Sequence, residues 1–187
     1  MFWENSASVV CRGASAQYFI DNPEYINRCS TLYKVNEWWG DEPEYFVENK
    51  HKLVHYINKD TPGHRKFLAK PFDKKLYNVA LDVINTKDCG LKVIAQASIA
   101  HKTLYIAGLD FWEAFYWSAT DTRRDASRTT MARYHRQEEK IDLLIKYMIV
   151  CSDTKFYFFT YSKNFLNKLD SMKPSRRPNN VIIELLK

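Results

Sequence analysis

Residues 91–117 read LKVIAQASIAHKTLYIAGLDFWEAFYW, and the fold turns on how this run is read. It is rich in valine, isoleucine and aromatic residues, which favour a pleated, half-buried surface. Breaks fall at Ala100-His101-Lys102 and at Gly108. The spacing predicts a meander of two or three antiparallel strands.

Working outward, the same sense of chain continues. DTRRDASRTTMARYHRQEEKIDLL, residues 121–144, predicts a helix starting at Asp121 or Asp125, with Tyr134, Gln137, Ile141, Leu144, Ile145 and Met148 in one inward sector. KYMIVCSDTKFYFFTY (146–161) predicts a hairpin around Ser152-Asp153-Thr154. A short helix follows over SKNFLNKLDSM (162–172), then a loop, KPSRRPNN, and a last strand, VIIELL. Upstream, residues 7–20 predict a short helix. Asp41 and Pro43 predict a helix start, with the helix running over 43–57, and Asp73 caps a second helix that stops at Gly90. The expectation is a single α+β domain over 1–187: N-terminal helices, then an antiparallel sheet of meander plus hairpin with a long helix packed on it.

At 187 residues, 45% of them hydrophobic, the chain is sized for one buried core. No apolar stretch reaches the length of a membrane span, and the N-terminus lacks the basic start of a secretory signal. Cys11, Cys29, Cys89 and Cys151 are too scattered for zinc or redox pairs, so free thiols in an intracellular setting are expected: the cytoplasm, or a host cell if the chain is viral. Its compact, aromatic, motif-poor character is that of a phage or viral product.

Charge is uneven along the chain. Residues 1–50 hold four basic and eight acidic residues, leaving 24 and 14 for residues 51–187. An acidic helical first part and a basic remainder point to a polyanionic partner, DNA or RNA, met by phosphate contacts without sequence reading. Two tracts carry the expectation. Lys59, Arg65, Lys66, Lys70, Lys74 and Lys75 form the first, among His and Phe residues; Lys173, Arg176 and Arg177 form the second, and Arg133 and Arg136 support them from the helix. A structural subunit of a large complex or viral particle is the alternative, with Trp38 and Trp39 in the acidic aromatic segment 36–46 as the docking or self-association surface. A nuclease or phosphoesterase comes after these two, and a binding protein is preferred to an enzyme.

Arg128 and His135 carry the chemistry of that third reading. Six residues separate them, a pattern that resembles the arginine–histidine signature of HEPN-type ribonucleases. The resemblance covers one helix and implies that the pair would stabilise and shuttle protons as a ribose 2′-hydroxyl attacks. His101-Lys102-Thr103 is similar to one H-x-T motif of the two-histidine phosphoesterases, whose mechanism takes two such motifs; the sequence has no second, so a turn histidine is expected. Glu48, His51 and His55 share one helical face at a spacing that suits zinc. That face lies opposite the apolar one, so a solvated surface is expected, with neither metal nor cofactor.

Overall fold

The computed structural model describes residues 3–36, 38, 42–56, 79, 82–83, 85–86, 88–114 and 136–187. Among these residues six strands form one sheet: β1 (Trp3–Val10), β2 (Cys29–Val35), β3 (Leu53–Tyr56), β4 (Thr103–Ala107), β5 (Lys155–Thr160) and β6 (Val181–Leu185). Their spatial order is β3-β2-β1-β4-β5-β6, and every neighbouring pair is parallel. The expected antiparallel meander and hairpin are therefore overturned; the fold is of α/β type.

The decisive run 91–117 shows why. Its first ten residues are not strand but the greater part of a helix, α4 (Cys89–Ala100), whose N-cap Asp88 accepts a hydrogen bond from the Leu91 amide. Leu91, Val93, Ile94, Ala95, Ala97 and Ser98 are all buried, so the helix is apolar round most of its girth and has no polar face to mark a helical period. Among the described residues of the run, only Thr103–Ala107 is strand. Gly90, expected as a stop, lies inside α4.

The same correction applies elsewhere. Residues 146–150 end helix α5 (Gln137–Val150), and Ser152-Asp153-Thr154 joins that helix to β5 in place of a hairpin. Residues 3–10 are strand, and a 3-10 turn (Ala14–Ala16) and the short helices α1 (Gln17–Asp21) and α2 (Glu24–Asn27) follow. The helix expected over 43–57 is broken into α3 (Tyr45–Glu48), a 3-10 turn at Lys50–Lys52 and β3. Helix α6 (Lys163–Asp170) and strand β6 fall where the sequence placed them.

Side chains alternate across the sheet and build two cores. On the front, Ala7, Val9, Leu104, Ile106, Phe156 and Phe158 pack under α4, α5 and α6. On the back, Val10, Leu32, Ala107 and Phe159 meet Phe19, Ile26, Tyr45 and Phe46 of α1, α2 and α3. Among the described residues, no helix is long and apolar enough to cross a membrane.

Candidate functional site at the strand switch

The strand order reverses between β1 and β4. From β1 the chain crosses the back toward β2; from β4 it crosses the front toward β5. A pair of adjacent parallel strands whose connections leave on opposite faces is a topological switch point, and open α/β sheets as a class bind ligands in the crevice beyond the carboxyl ends there.

At this switch point the loops that follow β1 and β4 meet at two glycines. Gly13, three residues past β1, donates its amide to the Gly108 carbonyl at 2.8 Å, and the Cys11 amide donates to Ala107 at 2.9 Å. A Cβ on Gly13 would strike Asp110 Oδ2 and the Gly108 carbonyl; one on Gly108, where φ is 76°, would land on the Cys11 carbonyl. Both loops need glycine because their backbones touch.

Asp110 then binds three loops together. Its Oδ2 accepts from the Ser15 amide at 3.0 Å, while Oδ1 accepts from Thr160 Oγ1 at 3.1 Å and the Tyr161 amide at 3.0 Å. Ser15 Oγ in turn accepts from the Gly108 amide at 2.7 Å. Asp110 is 3% exposed. Burial pushes its carboxyl above the ordinary carboxylate range, against the hydrogen bonds from Ser15, Tyr161 and Thr160 that pull it down.

Glu113 performs a parallel task beside it. The Ser162 hydroxyl donates to its carboxylate, as do the amides of Lys163 at 3.0 Å and Asn164 at 3.2 Å, so the anion lies on the N-terminus of α6. Gln137, 3% exposed at the start of α5, donates Nε2 to the Phe111 carbonyl at 2.6 Å and to Glu113 at 3.2 Å, and accepts from Asn164 Nδ2 at 3.0 Å. These contacts hold Phe111 and Trp112 at φ of 46° and 64°, a left-handed pair that neither side chain favours. Lys140 lies 4.2 Å over the Trp112 ring and 2.9 Å from Asp88, the cap of α4.

The chemistry available here is recognition more than nucleophilic attack. Cys11, at the crevice, is buried, and burial holds its thiol well above the ordinary range, with Asp88, Cys89 and Asp110 adding to the effect; it stays protonated. The Cys11, Gly13, Ser15 and Ala16 amides are engaged within the fold, so this loop does not offer the row of backbone donors that a glycine-rich dinucleotide loop gives a pyrophosphate. Cations stand around it instead: Arg12 after β1, Arg136 before α5 and Lys163 in the first turn of α6. Among the described residues, α4, α5 and the shorter α6 also direct their N-termini to this edge.

The residues singled out from sequence fall differently. Lys59, Arg65, Lys66, Lys70, Lys74, Lys75, Arg128, Arg133, His135 and Trp39 lie outside the described residues. The chain enters 57–78 from Tyr56 and enters 115–135 from Ala114, returning at Arg136, and all three flanking residues stand on the carboxyl edge. Lys173, Arg176 and Arg177 are exposed on the opposite edge, ahead of β6, and Arg177 pairs with Asp170 at 3.0 Å. Trp38 is half-buried, its ring 5.4 Å from Phe46. His101 caps the end of α4 and leads into β4, so it is a turn residue between helix and strand where a hairpin turn was expected. Glu48, His51 and His55 belong to a helix, a 3-10 turn and a strand, and among the described residues no group of side chains is placed to hold a metal ion.

Sequence reasoning gave no site role to Gly13, Ser15, Asp110 or Glu113, and read Gly108 as a break and Gln137 as an inward helix position. The available signal was a glycine closing each of two apolar runs, SASVVCRG and TLYIAG. No family model, curated protein or solved structure matches the chain.

Proposed function

We propose that the protein binds a nucleotide or nucleotide-linked small molecule at the carboxyl edge of the sheet, over the Gly13–Gly108 floor. The observation that carries this reading is the reversal of strand order at β1 and β4, in the sequence β3-β2-β1-β4-β5-β6 that doubly wound nucleotide-binding sheets share. Arg12, Arg136 and Lys163 supply charge for phosphate groups, and the N-termini of α4, α5 and α6 add to the same field. Asp110 and Glu113 are positioning residues that fix the loops. The test is a thermal-shift titration with the mono-, di- and triphosphates of the common nucleosides. One of them raises the melting temperature of the wild-type chain, and Arg12→Glu with Lys163→Glu weakens the effect at least about tenfold. No shift with any nucleotide at millimolar concentration would end the proposal.

A second reading keeps nucleic acid as the partner. Arg28, Lys50, Lys102, Lys173 and Arg176 are exposed in the segments that lead into the strands, and Lys155 is exposed at the first position of β5, along the amino edge. This row suits a phosphate backbone, although the helix C-termini that end there oppose an anion. Retardation of generic DNA or RNA that fades with salt, and is lost on reversing Lys102 and Arg176, supports it; no retardation at low salt refutes it.

A further inference from the structure

Strand β6 closes one side of the sheet, and among the described residues no strand pairs with its far edge. Its register fixes which backbone groups that edge offers. The Phe156 amide donates to the Asn180 carbonyl and the Leu186 amide to the Thr160 carbonyl, with Phe156 opposite Val181. In a parallel pair of this register the even-numbered residues of β6 bond to β5. Val181, Ile183 and Leu185 therefore turn their N–H and C=O groups away from the sheet.

Lysine, proline or a bulge ordinarily blunts an edge of this kind. The stretch VIIEL has neither residue, and its register with β5 runs unbroken from Val181 to Leu185. Helix α6 lies over β5 and β6: the Phe165 ring is 5.0 Å from Phe158, and Val181 and Ile183 pack into the same core. One flank of α6 faces α5, where Lys168 pairs with Asp142. The other flank carries Lys163, Leu166 and Asp170, spaced by three and four residues. Leu166 is half-buried, and the two charged residues are exposed.

We propose that β6 pairs with β6 of a second copy of the chain, antiparallel, about a two-fold axis that passes through the joint at Ile183, perpendicular to the sheet. Symmetry selects the direction. In a parallel pair, one of two opposite residues faces the partner strand and the other faces away, so a two-fold that sets each residue opposite its own mate cannot build it. In an antiparallel pair both can face inward. Centred on Ile183, the axis sets Val181 opposite Leu185, and all the outward groups of these three residues find partners.

The helices fit the same axis. A helix seated over the gap between β5 and β6 stands about one strand spacing from it, so α6 and its mate lie roughly 10 Å apart, the spacing of packed helices. They run antiparallel. Leu166 is covered, and Lys163 of each copy comes toward Asp170 of the other. Both copies keep their backs on one side of the joined sheet, so α1 and α2, whose Tyr18 and Tyr25 lie against Phe159, stand on either side of the joint. Lys163 also belongs to the nucleotide reading, and the variants below leave it unchanged.

Sedimentation equilibrium and cysteine crosslinking test the pairing. The wild-type chain is a dimer in the micromolar range. Leu185→Pro removes an outward N–H and no bond to β5, so it raises the dissociation constant at least about tenfold with the far-ultraviolet spectrum unchanged. Crosslinking reads the register without proline. Ile182 and Glu184 are exposed, whereas the four native cysteines are buried. Across the joint these two positions form a pair with Cα atoms about 4.5 Å apart, within disulfide reach, while each lies roughly 8 Å from its own mate. With oxidised glutathione, an equimolar mixture of Ile182→Cys and Glu184→Cys chains crosslinks at least about tenfold faster than either chain alone. A dimer indifferent to Leu185→Pro, or a single variant that crosslinks as fast as the mixture, overturns the proposal. A monomeric wild type also overturns it, and leaves the edge to a strand of another protein.

Discussion

At the carboxyl edge of the sheet, two carboxylates, Asp110 and Glu113, are surrounded by donors from three loops and the start of α6. At the amino edge, lysines and arginines stand in solvent, and the ion pair there, Arg177 with Asp170, is between exposed groups. The first edge is fixed in place by these hydrogen bonds; the second is a charged surface with little to lose. A buried, hydrogen-bonded carboxyl such as Asp110 is costly to disturb, whereas exposed pairs contribute about 0–1 kcal/mol. Preorganisation and surface charge have thus been separated to opposite ends of one sheet.

The largest effect should come from breaking the first of these arrangements at its centre. Asp110→Ala strands the Ser15 and Tyr161 amides and the Thr160 hydroxyl in a buried place, and is expected to cost about 3–5 kcal/mol in urea denaturation. A loss below about 1 kcal/mol would show that the three loops hold themselves. Gly108→Ala follows at about 2–3 kcal/mol, since the residue adopts φ of 76° and its Cβ would meet the Cys11 carbonyl. Glu113→Ala removes the anion from the start of α6 and should cost about 1–2 kcal/mol, with faster amide exchange at Lys163 and Asn164 as the local sign. At the bottom of the scale, Lys168→Ala breaks the exposed pair with Asp142, and less than about 0.5 kcal/mol should be lost.

Titration sharpens the same contrast. Because burial raises the Asp110 carboxyl in the folded chain, folding takes up a proton there, and the stability this group contributes is full below the ordinary carboxylate range. It declines as pH rises from the unfolded value through the raised one. The stability difference between wild type and Asp110→Asn should therefore shrink as pH increases over that window; a difference that grows would mean that the hydrogen bonds outweigh burial.

How much of this was legible in the sequence depends on the element. The inward sector of α5 was readable because Ile141, Leu144, Ile145 and Met148 recur at helical spacing against charged neighbours, and all four are buried. Strand β6 and helix α6 were equally plain. The parallel sheet was hidden by α4, which is apolar on most sides, so that a buried helix and a strand pair carry the same pattern. Each β-strand of a parallel sheet is also short and covered, and β3 has only four residues. The site was less legible still. Asp110 in AGLDF and Ser15 in RGASA are separated by 95 positions, and nothing local to either says that a carboxylate of one loop will hold the amide of the other.

The central claim, that the strand switch is a nucleotide site, is met most directly by mapping amide chemical shifts while a nucleotide is titrated into the full chain. The account predicts that the perturbed amides cluster in Cys11–Ser15, Gly108–Glu113 and Thr160–Asn164, at the carboxyl edge. Perturbations gathered at Lys102, Lys155 and Arg176, or none at saturating nucleotide, would contradict it.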